Sequence, residues 1–181
     1  MSDELLLLGL LSGSAMHGYQ LNEVIEKRLP MLWDLKPSTA YSRLDRLAAR
    51  GLVATTTQRI GRRPERKVYE LTAEGRERFL ELLRENMRSA STDSQSADLG
   101  ILFSRALPAG EVQALLRERR AATAERRPHL IEMIARHPAE SPGRRISERS
   151  LVHLDVELEW LDGVLAESAE AAATGTHPAA P

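Results

Sequence analysis

The spacing of apolar residues changes twice within the first ninety positions. Leu5, Leu6, Leu8, Leu10 and Leu11 predict a first helix, capped by Ser2 or Asp3 and broken by Ser12-Gly13-Ser14. Leu21, Val24, Ile25 and Leu29 recur at i, i+3, i+4 and i+8, one face of a second helix over about 17–29 that Pro30 ends. A third helix opens at Pro37, a good first-turn residue, and keeps Ala40, Leu44, Leu47 and Ala48 on one face. Gly51 supplies its stop. The period then shortens. Leu52-Val53-Ala54-Thr55-Thr56-Thr57 is β-branched, and Lys67-Val68-Tyr69-Glu70-Leu71 alternates, so the two predict a hairpin with Gly61 and Pro64 in its tip. Thr72 caps a fourth helix that carries Phe79, Leu80, Leu82 and Leu83. Helix-turn-helix followed by a hairpin is the winged-helix arrangement.

The second half carries longer helical patterns. Arg88 to Ala97 is rich in Ser, lacks large apolar residues and reads as a linker. Asp98 to Leu107 predicts a short apolar helix, and Pro108 opens a longer one with Val112, Leu115, Leu116, Leu130, Met133 and Ile134. Pro128 is expected to kink or interrupt it, and His137-Pro138 to Pro142-Gly143 is a turn. In the last helix Leu151, Leu154, Leu158, Leu161 and Leu165 form an a/d seam about two heptads long. Such a seam suits either packing within the chain or a dimer interface, of which pairing is the expected use. Ala166 to Pro181 has no large apolar residue and is expected to fray. The expected organisation is therefore a winged helix-turn-helix unit over 1–88, a linker over 89–97, a helical dimerisation unit over 98–170 and a flexible tail over 171–181. The fold class is mostly α: a winged helix-turn-helix with a two-stranded wing, then an α-helical dimerisation domain.

Charge sharpens the picture. The 181 residues hold 25 Lys+Arg and 26 Asp+Glu, a net charge of −1, which excludes a globally polybasic protein. Between Lys36 and Lys67, however, nine basic residues face only Asp45 and Glu65. The third helix presents Ser38, Thr39, Tyr41, Ser42, Arg43, Arg46 and Arg50, groups suited to base edges and phosphates. Arg59, Arg62, Arg63 and Arg66 crowd the hairpin, where a phosphate backbone or minor groove would accommodate them. An exposed polar helix face and a solubilising loop are the plainer alternatives.

His17-Gly18-Tyr19-Gln20-Leu21 resembles the HGYxL motif of the PadR-like transcriptional regulators. Pro37-Ser38-Thr39-Ala40-Tyr41, continuing through Leu44, Leu47 and Gly51-Leu52-Val53, is similar to that family's recognition-helix segment. Gly61-Arg62-Arg63-Pro64, Lys67-Val68-Tyr69 and Leu71-Thr72-Ala73-Glu74-Gly75 resemble its wing and the strand that follows. The resemblance covers roughly 5–85. Beyond it, only helical content and Glu159-Trp160-Leu161 are similar. The resemblance implies a bacterial regulator that binds double-stranded operator DNA as a homodimer, usually as a repressor. It implies DNA contact by Ser38, Thr39, Tyr41 and Ser42 on the helix and by Arg62, Arg63 and Arg66 on the wing. Lys36 stands where family members often carry Ser and joins the candidates, and helix phase adds Arg46. Many family members are derepressed by a small molecule or by stress, and Trp33 and Trp160 are the candidate lining of an effector pocket, with core packing as the alternative.

Other classes find little support. With no Cys, disulfides, thiol catalysis and Cys-ligated zinc are excluded. The five His show no His-Glu-x-x-His spacing, so no metal is expected. No phosphate-binding loop or catalytic pairing is evident, and neither an enzyme nor a cofactor is expected. The longest apolar run is Leu5 to Leu11, far below the ~20 residues a membrane span needs, and acidic residues precede it. A cytoplasmic protein is expected. A winged-helix adaptor that binds protein instead of DNA remains the alternative, disfavoured by arginine concentrated on both helix and hairpin.

Overall fold

The computed structural model describes residues 2–28, 35–58, 66–91 and 94–174. The chain divides into two compact units, Met1–Asn86 with Ser91–Leu107, and Met87–Ala90 with Pro108–Pro181.

The first unit contains α1 (Ser2–Leu11), β1 (Met16–His17), α2 (Gly18–Arg28), α3 (Pro37–Ala49), β2 (Val53–Gln58), β3 (Arg66–Leu71), most of α4 (Ala73–Arg88), and α5 (Ser94–Leu102) with a short 3-10 turn at Ser104–Ala106. Leu5, Leu6, Leu7, Leu8 and Leu11 are all buried, so α1 is apolar around most of its circumference and must be covered on more than one side. α2 and α3 bury Leu21, Ile25, Ala40, Leu44 and Leu47. Arg50 caps α3, and Gly51 follows at φ 75°. The amides of Gly51 and Leu52 bond back to Ala48 and Leu47, both at 3.0 Å, closing the helix in a Schellman turn that favours glycine.

β2 and β3 pair antiparallel from Val53↔Leu71 to Gln58↔Arg66, as the hairpin pattern predicts. A third strand was not evident in the sequence. Met16 and His17 pair with Tyr69 and Val68, giving the order β1-β3-β2. Two residues are too few to show alternation, and the pairing of β3 on its second edge creates this strand.

The start of α4 is fastened to β2. The Thr72 hydroxyl accepts from the Gly75 amide at 2.9 Å and donates to the Gly51 carbonyl at 2.8 Å, while the Thr72 amide donates to the Leu52 carbonyl at 3.2 Å. Thr72 is the N-cap the sequence predicts.

The domain boundary is corrected. The segment 98–107, expected in the dimerisation unit, belongs to the first unit. Leu99 and Leu107 are buried, and the Phe103 ring meets Phe79 edge-on with centroids 5.8 Å apart. A Cβ on Gly9 would lie 2.5 Å from that ring, so α1 approaches Phe103 closely through a glycine. The apolar circumference of α1 recruits this cover, and Ser94–Ala97, read as linker, opens α5.

The second unit is built on α6 (Ala109–Arg136) and α7 (Pro142–Thr174). α6 runs through Pro128 without interruption. The helices are antiparallel neighbours. Gln113 donates to the Ser168 carbonyl at 3.2 Å, Arg120 reaches Asp162 at 2.6 Å, and Arg127 reaches Asp155 at 2.7 Å. Arg119 pairs with Glu157. These partners define the face of α7 that meets α6, and Leu154 and Leu161 lie in helical phase between them, 6% and 0% exposed. Two of the five leucines expected at a dimer interface, Leu154 and Leu161, are thus buried within the chain. Leu151, Leu158 and Leu165 on the same side are half-buried. Periodicity reveals that a helix face is buried, not which chain buries it. The opposite side of α7 leaves Val152, Val156 and Trp160 exposed. α7 also continues to Thr174, past the expected limit of 170, because its Ala- and Glu-rich end has high helix propensity. Residues 175–181 lie outside the described residues.

Two acids at the start of α1 stabilise the first unit. Glu4 receives Arg50 at 2.9 and 3.1 Å and Arg78 at 3.2 Å, and Asp3 pairs with Arg43 at 2.7 Å. Burial pushes the Glu4 carboxyl up, but the hydrogen bonds and charges of Arg50 and Arg78 outweigh it and hold Glu4 below its usual value. A depressed carboxylate contributes stability that is present above its unfolded value and lost as pH falls toward its folded one. Glu4→Gln is therefore expected to lower the thermal midpoint at pH 7 and to flatten its decline below about pH 4.5. Parallel acid limbs for the two proteins would contradict this.

Candidate nucleic-acid interface

The outward face of α3 follows from its buried one. With Ala40, Leu44 and Leu47 turned into the core, the opposite stripe carries Ser38, Ser42 and Asp45 at i, i+4 and i+7, with Arg46 beside it. All four are exposed. Lys36, also exposed, is the N-cap residue and makes no side-chain cap bond. Thr39 is half-buried.

The guanidinium groups on α3 separate into two sets. Arg43 and Arg50 turn back to Asp3 and Glu4 on α1. Arg46 makes no ion pair among the described residues and remains on the outward face. The pattern therefore overstated the free charge of this helix, because the acids lie forty residues earlier in the chain.

Tyr41 sits on the flank toward α2, where the Asn22 amide donates to its hydroxyl at 3.1 Å. A Cβ on Gly18 would lie 2.6 Å from the Tyr41 ring, so this glycine allows α2 to approach α3. Tyr41 therefore ties the two helices of the helix-turn-helix together. Beside it opens a cleft of about 530 Å3 lined by His17, Gly18, Tyr19, Tyr41, Asp45, Lys67 and Tyr69. The His17 and Tyr19 rings stack at 5.7 Å. Burial, reinforced by Asp45 and Tyr41, raises the Tyr69 hydroxyl above its ordinary pKa and keeps it neutral.

Two residues of this site were not singled out by sequence pattern. Asp45 lies in the outward stripe, and the Lys67 ammonium approaches its carboxylate at 3.6 Å from β3, each side chain 60% exposed. Helical phase from Ser38 would have placed Asp45, but no local signal pairs it with a residue twenty-two positions later.

Arg59, Arg62 and Arg63 lie outside the described residues. Arg66 opens β3 opposite Gln58, which places its backbone at the start of the wing strand. Trp33 also lies outside the described residues, whereas Trp160 is 41% exposed on α7 and not a core residue. Among the described residues no group of three His, Asp or Glu could hold a metal, and no helix is long and apolar enough to cross a membrane.

Residues 7–81 match the transcriptional regulator PadR-like family. The negative transcriptional regulator PadR of Bacillus subtilis (strain 168) is 31% identical over 71 residues, 39% of this chain and 39% of that protein. The chain thus spans about two-fifths of the length of the curated relative it matches. Among solved structures, Bacillus subtilis PadR in complex with operator DNA is 22% identical with a TM-score of 0.46, covering 91% of this chain and 98% of that one. The same protein with p-coumaric acid is 20% identical with a TM-score of 0.41, covering 93% and 99%. The protein smu.1604c of Streptococcus mutans UA159 is 19% identical with a TM-score of 0.45, covering 96% and 99%. The similarity to the transcriptional regulator PadR-like family thus falls on residues 7–81, the stretch that holds α2, α3, β2 and β3.

Proposed function

We propose that the protein is a sequence-specific DNA-binding regulator of the bacterial cytoplasm, acting as a homodimeric repressor of operator DNA and released by a small-molecule effector. The observation that carries this reading is the outward stripe of α3, where Ser38, Ser42 and Arg46 are exposed on a helix whose other face is core. Hydroxyl and guanidinium groups on such a helix fit a major groove, and the wing arginines fit the flanking backbone. The basic excess between Lys36 and Lys67 supplies the attraction. Its match to a negative regulator favours repression. For the dimer, the exposed Val152, Val156 and Trp160 offer a second copy an apolar surface that the seam at Leu154 and Leu161 does not. For the effector, the cleft between α3 and β3 has a volume in the range of small-molecule sites.

The test is fluorescence anisotropy with duplex DNA from upstream of the protein's own gene, competed by a scrambled duplex at two salt concentrations. Tight, salt-sensitive binding that resists the competitor is expected. Arg46→Ala should weaken binding and, if Arg46 meets a phosphate, lower the salt slope by about 1. Equal loss to the scrambled duplex at both salts, for upstream fragments and for a genomic fragment pool, would overturn the reading.

A further inference from the structure

We propose that Asp45 is a specificity-determining residue, accepting a hydrogen bond from the exocyclic amino group of a cytosine in the major groove, with Lys67 as the residue that positions and neutralises it. This rests on the DNA-binding reading above. Asp45 closes the stripe Ser38, Ser42, Asp45, and its side chain is 60% exposed. A carboxylate there faces a polyanion, so it opposes nonspecific binding unless it meets a donor. The donors a major groove offers are amino groups: N4 of cytosine and N6 of adenine. At adenine the neighbouring N7 is an acceptor, which repels the second carboxylate oxygen. At cytosine no acceptor stands beside N4 on the same base, so a carboxylate fits cytosine better.

Lys67 completes the arrangement. It reaches Asp45 from β3 at 3.6 Å, linking the reading helix to the base of the wing. The pairing offsets the repulsion between Asp45 and phosphates and restricts where the carboxylate points. Arg43 and Arg50 do not perform this task, because both turn back to α1.

The experiment is selection of binding sites from a randomised duplex pool, with the full chain and with Asp45→Asn and Asp45→Ala, each first checked for an unchanged thermal midpoint. The wild-type protein should enrich a motif with a cytosine fixed at one position of each half-site. Asp45→Asn should shift that position toward adenine, because an asparagine amide pairs with both N6 and N7. Asp45→Ala should relax it, with a loss of preference of about fivefold or more. If the wild-type protein enriches a motif and both variants enrich the same one, the Asp45 assignment fails while DNA binding stands. If the wild-type protein enriches nothing, the DNA-binding reading itself fails.

Discussion

Replacing Gly75 with alanine is expected to destabilise the first unit by about 2–3 kcal/mol, although glycine to alanine inside a helix ordinarily gains ~1 kcal/mol. The reversal comes from one contact. A Cβ at position 75 would overlap the Leu52 carbonyl oxygen and crowd the Leu52 carbonyl carbon at 2.9 Å. These are backbone atoms, and that oxygen already accepts from the Thr72 amide. Relief would require the start of α4 to withdraw from the segment leading into β2, which breaks the bonds that Thr72 makes to the Gly51 and Leu52 carbonyls. The thermal midpoint should fall by about 10 °C or more. An unchanged or raised midpoint would show that the helix start yields without cost.

Removing Glu157 should have an effect of comparable size in the second unit. Arg119 is 2% exposed, and its Nε and Nη1 have no hydrogen-bond partner among the described residues. Glu157 is its ion-pair partner, with a side chain 32% exposed. Taking away one member of a buried pair leaves an uncompensated charge and costs about 3–5 kcal/mol, so Glu157→Leu is expected near the lower end because water reaches its side of the pair. The double variant Arg119→Met, Glu157→Leu removes the stranded charge and the orphaned donors together. It should recover most of the loss and can exceed the parent protein. Denaturant unfolding of the three proteins decides this. Equal loss in the single and double variants would show that the pair is not what holds this position.

The elements that were legible in the sequence are those with local causes. Pro37, Gly51 and Thr72 mark their boundaries because a ring, a positive φ and a hydroxyl cap act within a few residues. What escaped is non-local. β1 exists because β3 has a free edge. The 98–107 segment joins the first unit because α1 is apolar around most of its surface. Leu154 and Leu161 of α7 are buried within the chain, though their spacing equally suits a second chain. The candidate site follows the same division. Ser38, Ser42 and Arg46 were readable from helix phase, whereas the diversion of Arg43 and Arg50 and the pairing of Asp45 depend on residues distant in sequence.

The ion pairs from α1 to the flank of α3 have a consequence for how such a protein can change targets. Asp3 and Glu4 hold Arg43 and Arg50, and the core holds Leu44 and Leu47, so the helix is clamped without help from its outward stripe. Ser38, Ser42 and Arg46 are exposed and take no part in this clamp, so exchanging them is expected to change stability by only about 0.5 kcal/mol. For the DNA-binding role proposed above, the vocabulary of this helix is editable at these surface positions, and change there is expected to cost the fold little.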